Sequence, residues 1–287
     1  MILVDYNQVM LASLFAGIGN HTNMEVDENL LRHMFLNSIR FNRKKFSGEY
    51  GEIVICADST NVWRKDYYPY YKANRKKNRD QSDMDWNACF DAIHQIRREL
   101  EEFFPYKVVY VDRVEADDII ATLCMEHGTE LNNGSEKILV LSGDKDFIQL
   151  QKHNFVKQYS PVLKKFVKDI NPDIYIREHV LKGDRSDGVP NFLSSDDTFV
   201  NELRQKPLTK KKLAVWIDLA PEDFCTEEML RNYQRNRTLI DLEYIPSDLK
   251  ERILEDYRKP PKGERSKLLN YFINKRLKNL MNDIGDF

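Results

Sequence analysis

Apolar runs that stop at an acid recur along this chain. Ile2-Leu3-Val4 ends at Asp5, and Ile53-Val54-Ile55-Cys56-Ala57 ends at Asp58. Ile138-Leu139-Val140-Leu141 reaches Asp144 and Asp146 through Ser142-Gly143. Each run reads as a buried strand that delivers a carboxylate to its C-terminal end. Between them the period changes. Residues 9–18 are mostly apolar and read as a helix, with Gly17 and Gly19 as stops. Residues 27–41 place Leu30, Leu31, Met34, Phe35, Ile39 and Phe41 at helical spacing, and 48–51 read as a turn. A helix opening near Ser82 or Asp83 would bury Trp86, Phe90, Ile93, Ile96, Leu100 and Phe103, and stop at Pro105. Residues 108–111 read as a short strand, and 115–127 as a helix with Gly128 beyond its end.

Short strands alternating with helices predict an α/β fold, a mostly parallel central sheet with helices on both faces. That unit closes near residue 160, with a small hairpin at 156–159 and 166–168 around Ser160-Pro161. Helical periods then dominate at 175–181, 197–203, 208–219 and 226–239. A turn at Pro260-Pro261-Lys262-Gly263 leads to a final basic amphipathic helix over about 266–281. The expected division is 1–160 as an α/β core, carrying a basic insert at about 59–82, and 161–287 as a mainly helical domain.

The net charge of −2 hides an uneven distribution. From Arg64 to Arg79 there are seven basic residues (Arg64, Lys65, Lys72, Arg75, Lys76, Lys77, Arg79) and one acid, Asp66. A basic stretch beside an acidic cluster is expected where cations and a polyanion meet, because steering follows local potential. Cys56, Cys89, Cys124 and Cys225 have no zinc-type spacing and read as free thiols in a reducing compartment. No basic stretch followed by a long apolar region opens the chain, so a secretory signal is not expected. No run reaches the roughly 18 apolar residues of a membrane span.

Taken singly, each acid has a bland reading. Asp5 can cap the next helix, Asp58 can form an Asx-turn with Thr60, and Glu115, Asp117 and Asp118 can face a helix dipole. Together with Asp144, Asp146, and Asp184 and Asp187 of Gly183-Asp184-Arg185-Ser186-Asp187, they make nine acids gathered at strand ends and turns. Carboxylates collected at the ligand-binding end of an open sheet repel one another unless a cation intervenes. Hard oxygen donors suit Mg²⁺ or Mn²⁺. Nine exceed the needs of one ion and suffice for two, about 4 Å apart, clamping a phosphodiester. Ser142-Gly143 is no nucleophile elbow, and no P-loop is present.

Several segments carry a family likeness: Leu3-Val4-Asp5, Val54-Ile55-Cys56-Ala57-Asp58, Trp63-Arg64-Lys65-Asp66 and Tyr70-Tyr71-Lys72-Ala73-Asn74-Arg75. Glu115-Ala116-Asp117-Asp118, Ser142-Gly143-Asp144-Lys145-Asp146-Phe147 and Lys182-Gly183-Asp184-Arg185-Ser186-Asp187 continue it. In order and spacing these resemble the 5′-nuclease superfamily of flap endonucleases and 5′→3′ exonucleases, and within it the T4-type bacteriophage RNase H branch. The resemblance implies a PIN-like nuclease core followed by a helix–turn–helix-type element that binds duplex. It implies a first metal on Asp5, Asp58, Glu115, Asp117 and Asp144. A second would lean on Asp146, Asp184 and Asp187, with Asp118 in support. The ions would be Mg²⁺, with Mn²⁺ as a substitute. The substrates would be flapped or branched DNA and RNA–DNA hybrid, and RNA primers would be removed during replication in a host-cell cytoplasm. A single-strand-DNA-binding protein and a sliding clamp are the implied partners. Lys72 and Arg75 would grip the scissile phosphate, and Arg64, Lys76 and Lys77 would join the nucleic-acid contact.

The chain departs from the family in three places. Gly188-Val189-Pro190 runs into Asn191-Phe192-Leu193 without the Gly-rich repeat, which counts against a K⁺ site. Strand one begins at once, leaving no room for a clamp-binding peptide ahead of it. Tyr6 stands where many relatives carry glycine. In the basic insert, Tyr68 and Tyr71 can stack on bases or pack against the domain, whereas Trp63 is expected to pack. The competing accounts are a PIN-class toxin ribonuclease, usually much shorter, and a non-enzymatic DNA-binding scaffold, which strand-end acids disfavour.

Overall fold

Alternate residues of the three apolar runs point to opposite faces, and both faces are covered. Ile2, Val4, Ile53, Ile55, Leu139 and Leu141 join one buried cluster, while Leu3, Val54, Cys56, Ile138 and Val140 join another. Strands buried on both sides have no reason to alternate with polar residues, which explains the unbroken apolar runs. The computed structural model describes residues 1–18, 26–127, 136–169 and 171–287.

Six strands form one sheet in the order β3-β2-β1-β4-β5-β6. They are β1 (Ile2–Asp5), β2 (Ile53–Cys56), β3 (Lys107–Val109), β4 (Ile138–Leu141), β5 (Val156–Ser160) and β6 (Lys165–Val167). All neighbours are parallel except β5 and β6, which form the expected hairpin and extend the main sheet. Asp5 pairs with Cys56 and Val4 with Leu141, so the three strand ends lie side by side. The order reverses at β1, between β2 and β4, and such a switch point opens a crevice at the C-terminal edge.

The helices are α1 (Tyr6–Ile18), α2 (Glu28–Tyr50), α3 (Trp63–Tyr67), α4 (Ala73–Asp80), α5 (Trp86–Phe103), α6 (Ala116–Glu126) and α7 (Pro172–Lys182). They continue with α8 (Lys210–Trp216), α9 (Pro221–Phe224), α10 (Glu227–Ile240), α11 (Ser247–Arg258), α12 (Leu268–Asn274) and α13 (Lys278–Met281). One face of the sheet is covered by α1, α2, α5 and α12, and the other by α6 and α11. The last helices therefore return to the α/β core. Phe272, Leu280 and Phe287 are buried there, each contributing roughly 1.5–3 kcal/mol relative to an exposed side chain. Between them, α7, α8 and α10 build smaller cores of their own around Val180, Leu181, Phe192, Leu213 and Leu239.

Four local expectations change. The turn at 48–51 is instead the end of α2, which runs on to bury Phe46 and Tyr50 and stops at Gly51, φ +81°. Residues 197–203 form turns, not a helix, with Glu202 at φ +56° and Thr198 Oγ1 donating to Ser195 O at 2.6 Å. The final helix is broken into α12 and α13 at Arg276, φ +56°, which lets Leu277 and Leu280 turn inward beside Phe272. The basic insert, neither clean helix nor strand by pattern, holds α3 and α4. Gly19 and Gly128 lie outside the described residues. Among the described residues, no helix is long and apolar enough to cross a membrane.

Candidate active site

The strand ends bring the first acids together through a shared serine. Ser142 Oγ donates to Asp5 Oδ2 at 2.9 Å and accepts from Asp144 N–H at 3.0 Å. Gln8 ties the same edge: its N–H donates to Asp5 at 3.3 Å and its side chain accepts from Gly143 N–H at 3.1 Å. Asp58 accepts from Ala116 N–H at 2.7 Å, docking the start of α6 onto the end of β2. Asp117, in the first turn of α6, then faces Asp5 and Asp144. A small cavity lined by Asp117, Asp146, Asp184 and Asp187, with Arg64 and Tyr71, joins these acids to the later ones.

The inner carboxylates are only partly compensated, chiefly by Lys72. Burial, then Asp58, pushes Asp5 up to about 7 despite the Ser142 bond. Burial and Glu115 raise Asp58, and burial with Asp5 and Asp144 raises Asp117 well above the carboxylate range. Asp144 opens to solvent and is still raised, by crowding against the fold and by Asp146. An all-oxygen set whose members resist ionising together fits a hard divalent cation.

Glu115 and Asp118 sit differently. Glu115 accepts from Lys72 Nζ at 2.6 Å, Arg64 Nη1 at 2.8 Å and Tyr71 OH at 3.1 Å. Burial alone would raise Glu115, but Lys72 and Arg64 overcome it and hold the carboxyl at about 2. Asp118 is fully buried and takes Arg64 in a two-pronged bond (2.7 and 3.0 Å), Trp63 Nε1 at 3.0 Å and the Glu115 N–H at 3.0 Å. It therefore anchors the start of α6 and α3 and offers no free oxygen to an ion. Arg64 is 2% exposed, and its Nε donates to Leu239 O. Its expected place in the nucleic-acid contact is corrected: the guanidinium is buried on Glu115, Asp118 and Leu239 and is not presented to a phosphate.

The tyrosines also turn inward. Tyr68 is buried, with its hydroxyl donating to Asp196 O at 2.5 Å, and the hydroxyl of buried Tyr71 lies between Asp187 at 2.8 Å and Glu115 at 3.1 Å, its one proton shared between them. Neither ring is free to stack on a base, so both follow the packing alternative. Tyr67 and Tyr70 are the exposed rings of the insert, and Lys76 and Lys77 are exposed on α4.

The insert rests on the Gly183–Pro190 turn. Lys72 N–H donates to Asp187 O at 2.8 Å, and Lys72 itself takes φ +56° to enter α4. Asp187 pairs with Arg75 at 2.6 Å and lies 3.5 Å from Lys72 Nζ, so it faces the insert. Gly183 is at φ +69°, and a Cβ there would stand 2.4 Å from Val189 O. Only glycine permits that close return, which presents Asp184 to the core. Helix α10 holds the turn from behind: Asn236 Nδ2 donates to Val180 O and Pro190 O, both at 2.9 Å, and Arg235 donates to Pro190 O at 3.0 Å.

One functional side chain escaped the acidic pattern. His179 of α7 lies 3.3 Å from Asp146 and 3.6 Å from Asp184. Burial would lower its pKa, but the two carboxylates outweigh burial and raise it to about 9. His179 itself, with the Ser186 bonds, overcomes burial to depress Asp184. The helical period placed 179 on α7 without saying which carboxylates it meets.

Comparison with known proteins identifies relatives of the chain. Residues 1–182 match the family described as 5′-3′ exonuclease, N-terminal resolvase-like domain, and residues 171–287 match T4 RNase H, C terminal. The chain is 34% identical to the Ribonuclease H of Enterobacteria phage T4, over 99% of this chain and 95% of that one. It is 28% identical to a 5′-3′ exonuclease of Buchnera aphidicola subsp. Acyrthosiphon pisum, over 51% of this chain and 50% of the other. In fold it is similar to the bacteriophage T5 D15 flap endonuclease, solved as a complex with DNA and metal ions. The TM-score is 0.61 and the identity 15%, over 90% of this chain and 99% of that one.

Proposed function

The chain belongs to the 5′-3′ exonuclease family and is a nuclease of the exonuclease and flap-endonuclease kind, and we propose that it removes RNA primers and 5′ flaps during replication, using two Mg²⁺ ions. Asp5, Asp58, Asp117 and Asp144 would hold the inner ion, with Glu115 beside them. Asp146 and Asp184 would serve the outer one, and Asp187, paired with Arg75 and Tyr71, would tie it to the insert. When bound, such ions polarise a phosphodiester and make water a nucleophile at neutral pH. The observation that supports this reading most is the gathering of Asp5, Asp58 and Asp144 at level strand ends, with the start of α6 docked on Asp58.

The residues around them have their own tasks. Ser142 and Gln8 hold Asp5 and Asp144 in place before any ion arrives, so little reorganisation is needed on binding. Lys72 keeps Glu115 ionised and stands near Asp187, where an ammonium meets charge developing on a phosphate. Arg75, Lys76 and Lys77, with Tyr67 and Tyr70, would guide a single strand across the insert. Residues 161–287 would bind the duplex, and a single-strand-DNA-binding protein and a sliding clamp would be the protein partners.

The test is cleavage of a 5′-flap, a blunt duplex, a single strand and an RNA-primed duplex, with Mg²⁺ or chelator. Preference for the flap and the RNA-primed end, lost on chelation, is expected. Equal cutting of single-stranded RNA would favour a PIN-type ribonuclease instead.

A further inference from the structure

The outer acids enclose a nitrogen. One ligand atom from each of His179, Asp146 and Asp184 lies within 4.8 Å of the other two. Nε2 is shut off from solvent yet makes no formed hydrogen bond. Its separations, 3.3 Å from Asp146 and 3.6 Å from Asp184, are long for charge-assisted bonds, which close to about 2.7–2.9 Å. They suit ligands of one ion. Two donors each about 2.1 Å from a metal stand roughly 3.0 Å apart at a right angle and roughly 3.4 Å apart in a tetrahedron. The Tyr175 ring is stacked on the imidazole, 5.7 Å between centroids and 23° between planes, and fixes its aim. Asp187 is meanwhile drawn to Arg75 and Tyr71. The outer position thus offers two oxygens and one nitrogen.

We propose that His179 is a nitrogen ligand of the outer divalent ion and biases that position toward first-row transition ions, Mn²⁺ included, over Mg²⁺. Imidazole is a softer donor than carboxylate or water, and Mg²⁺ gains least from it. The inference rests on the reading of these acids as a divalent-ion site. The rival account makes His179 an imidazolium clasp that bridges Asp146 and Asp184 and keeps ions out.

Mn²⁺ alone, added to the full-length protein, distinguishes them by pulsed electron paramagnetic resonance. A ¹⁴N coupling is expected in the wild type, changing pattern when histidine is ¹⁵N-labelled. It should vanish in His179→Leu and in His179→Gln. Competition titrations should show the Mn²⁺-over-Mg²⁺ preference falling about tenfold in His179→Gln, which returns an oxygen donor. The wild-type spectrum decides even if a variant folds poorly. Mn²⁺ bound without nitrogen coupling would overturn the inference and leave the divalent-ion reading standing, as would variants that bind Mn²⁺ more tightly than wild type. Failure of Mn²⁺ to bind the wild type at all would remove both.

Discussion

The Lys72 ammonium lies 2.6 Å from Glu115 Oε1, joining the basic insert to the first turn of the acid-bearing helix. Lys72→Ala should slow single-turnover cleavage at least about tenfold, equivalent to roughly 1.4 kcal/mol of transition-state stabilisation. Lys76→Ala and Lys77→Ala should instead weaken binding and flatten its salt dependence. Cleavage rates beside equilibrium binding at two salt concentrations separate the effects. Equal losses of binding alone in all three variants would return Lys72 to the general phosphate track.

Arg64 is a structural cation. Its pairing with Asp118 and Glu115 is buried, and removing one partner of a buried pair costs about 3–5 kcal/mol. Arg64→Met should lower the unfolding free energy by about that much in urea titrations. A variant as stable as wild type but defective in DNA binding would contradict this placement.

Asp117→Asn and Asp144→Asn should abolish cleavage with the fold intact. Each removes a charge from a crowded set, so the metal-free variants should be as stable as wild type or slightly more so. Thermal melts with and without Mg²⁺ test this. The stabilisation by Mg²⁺ should shrink in both variants. Wild-type turnover at saturating Mg²⁺ would refute it.

The parts of the metal-free protein's stability that come from Asp5 and His179 should fall as pH rises, against His94, His127 and His153, whose values burial lowers and which therefore favour higher pH. Asp5 has a folded value of about 7, above its unfolded value of about 3.9, so the folded state holds the extra proton in that window. His179 acts in the same direction between about 6.5 and about 9, because its stabilising charge is lost above its folded value. Glu115, held at about 2, opposes this only below about 4.3. Denaturation at pH 5, 6.5 and 8 measures the slope, and Asp5→Asn should remove the Asp5 part of it. An Asp5→Asn slope identical to that of the wild type would rule the assignment out.

The two acids of the Gly183 turn should part company. Asp184→Asn thins the outer ion's ligands, so high Mg²⁺ or Mn²⁺ should restore some turnover by mass action. Asp187→Asn frees Arg75 and Tyr71 and loosens the insert, which more metal cannot repair. Metal titrations of flap cleavage in both variants decide. Identical rescue curves would place Asp187 back among the outer ligands.

Much of this was legible in the residue order. The runs before Asp5, Asp58 and Asp144 are the three neighbouring parallel strands, because strands covered on both faces must be apolar throughout. The acids gather because register brings the strand ends level. What stayed hidden depended on facing. Arg64, Tyr68 and Tyr71 share a segment with exposed Tyr67, Lys76 and Lys77, and only tertiary packing sorts them. His179 gave no signal because its partners, Asp146 and Asp184, come from other elements. The break at Arg276 was masked by a helical period on both sides of it.

The sheet order also bears on when the enzyme becomes active during its own synthesis. β1 is made first, yet it lies between β2 and β4, and β4 is translated far later. Such non-local pairing forms slowly. Until residue 142 is in place, Asp5 lacks its Ser142 bond, and until α10 is made the turn bearing Asp184 lacks its bonds from Asn236 and Arg235. A nascent or half-folded chain carries the acids without the cluster. The cluster is thus a property of the closed fold and of no shorter piece of the chain.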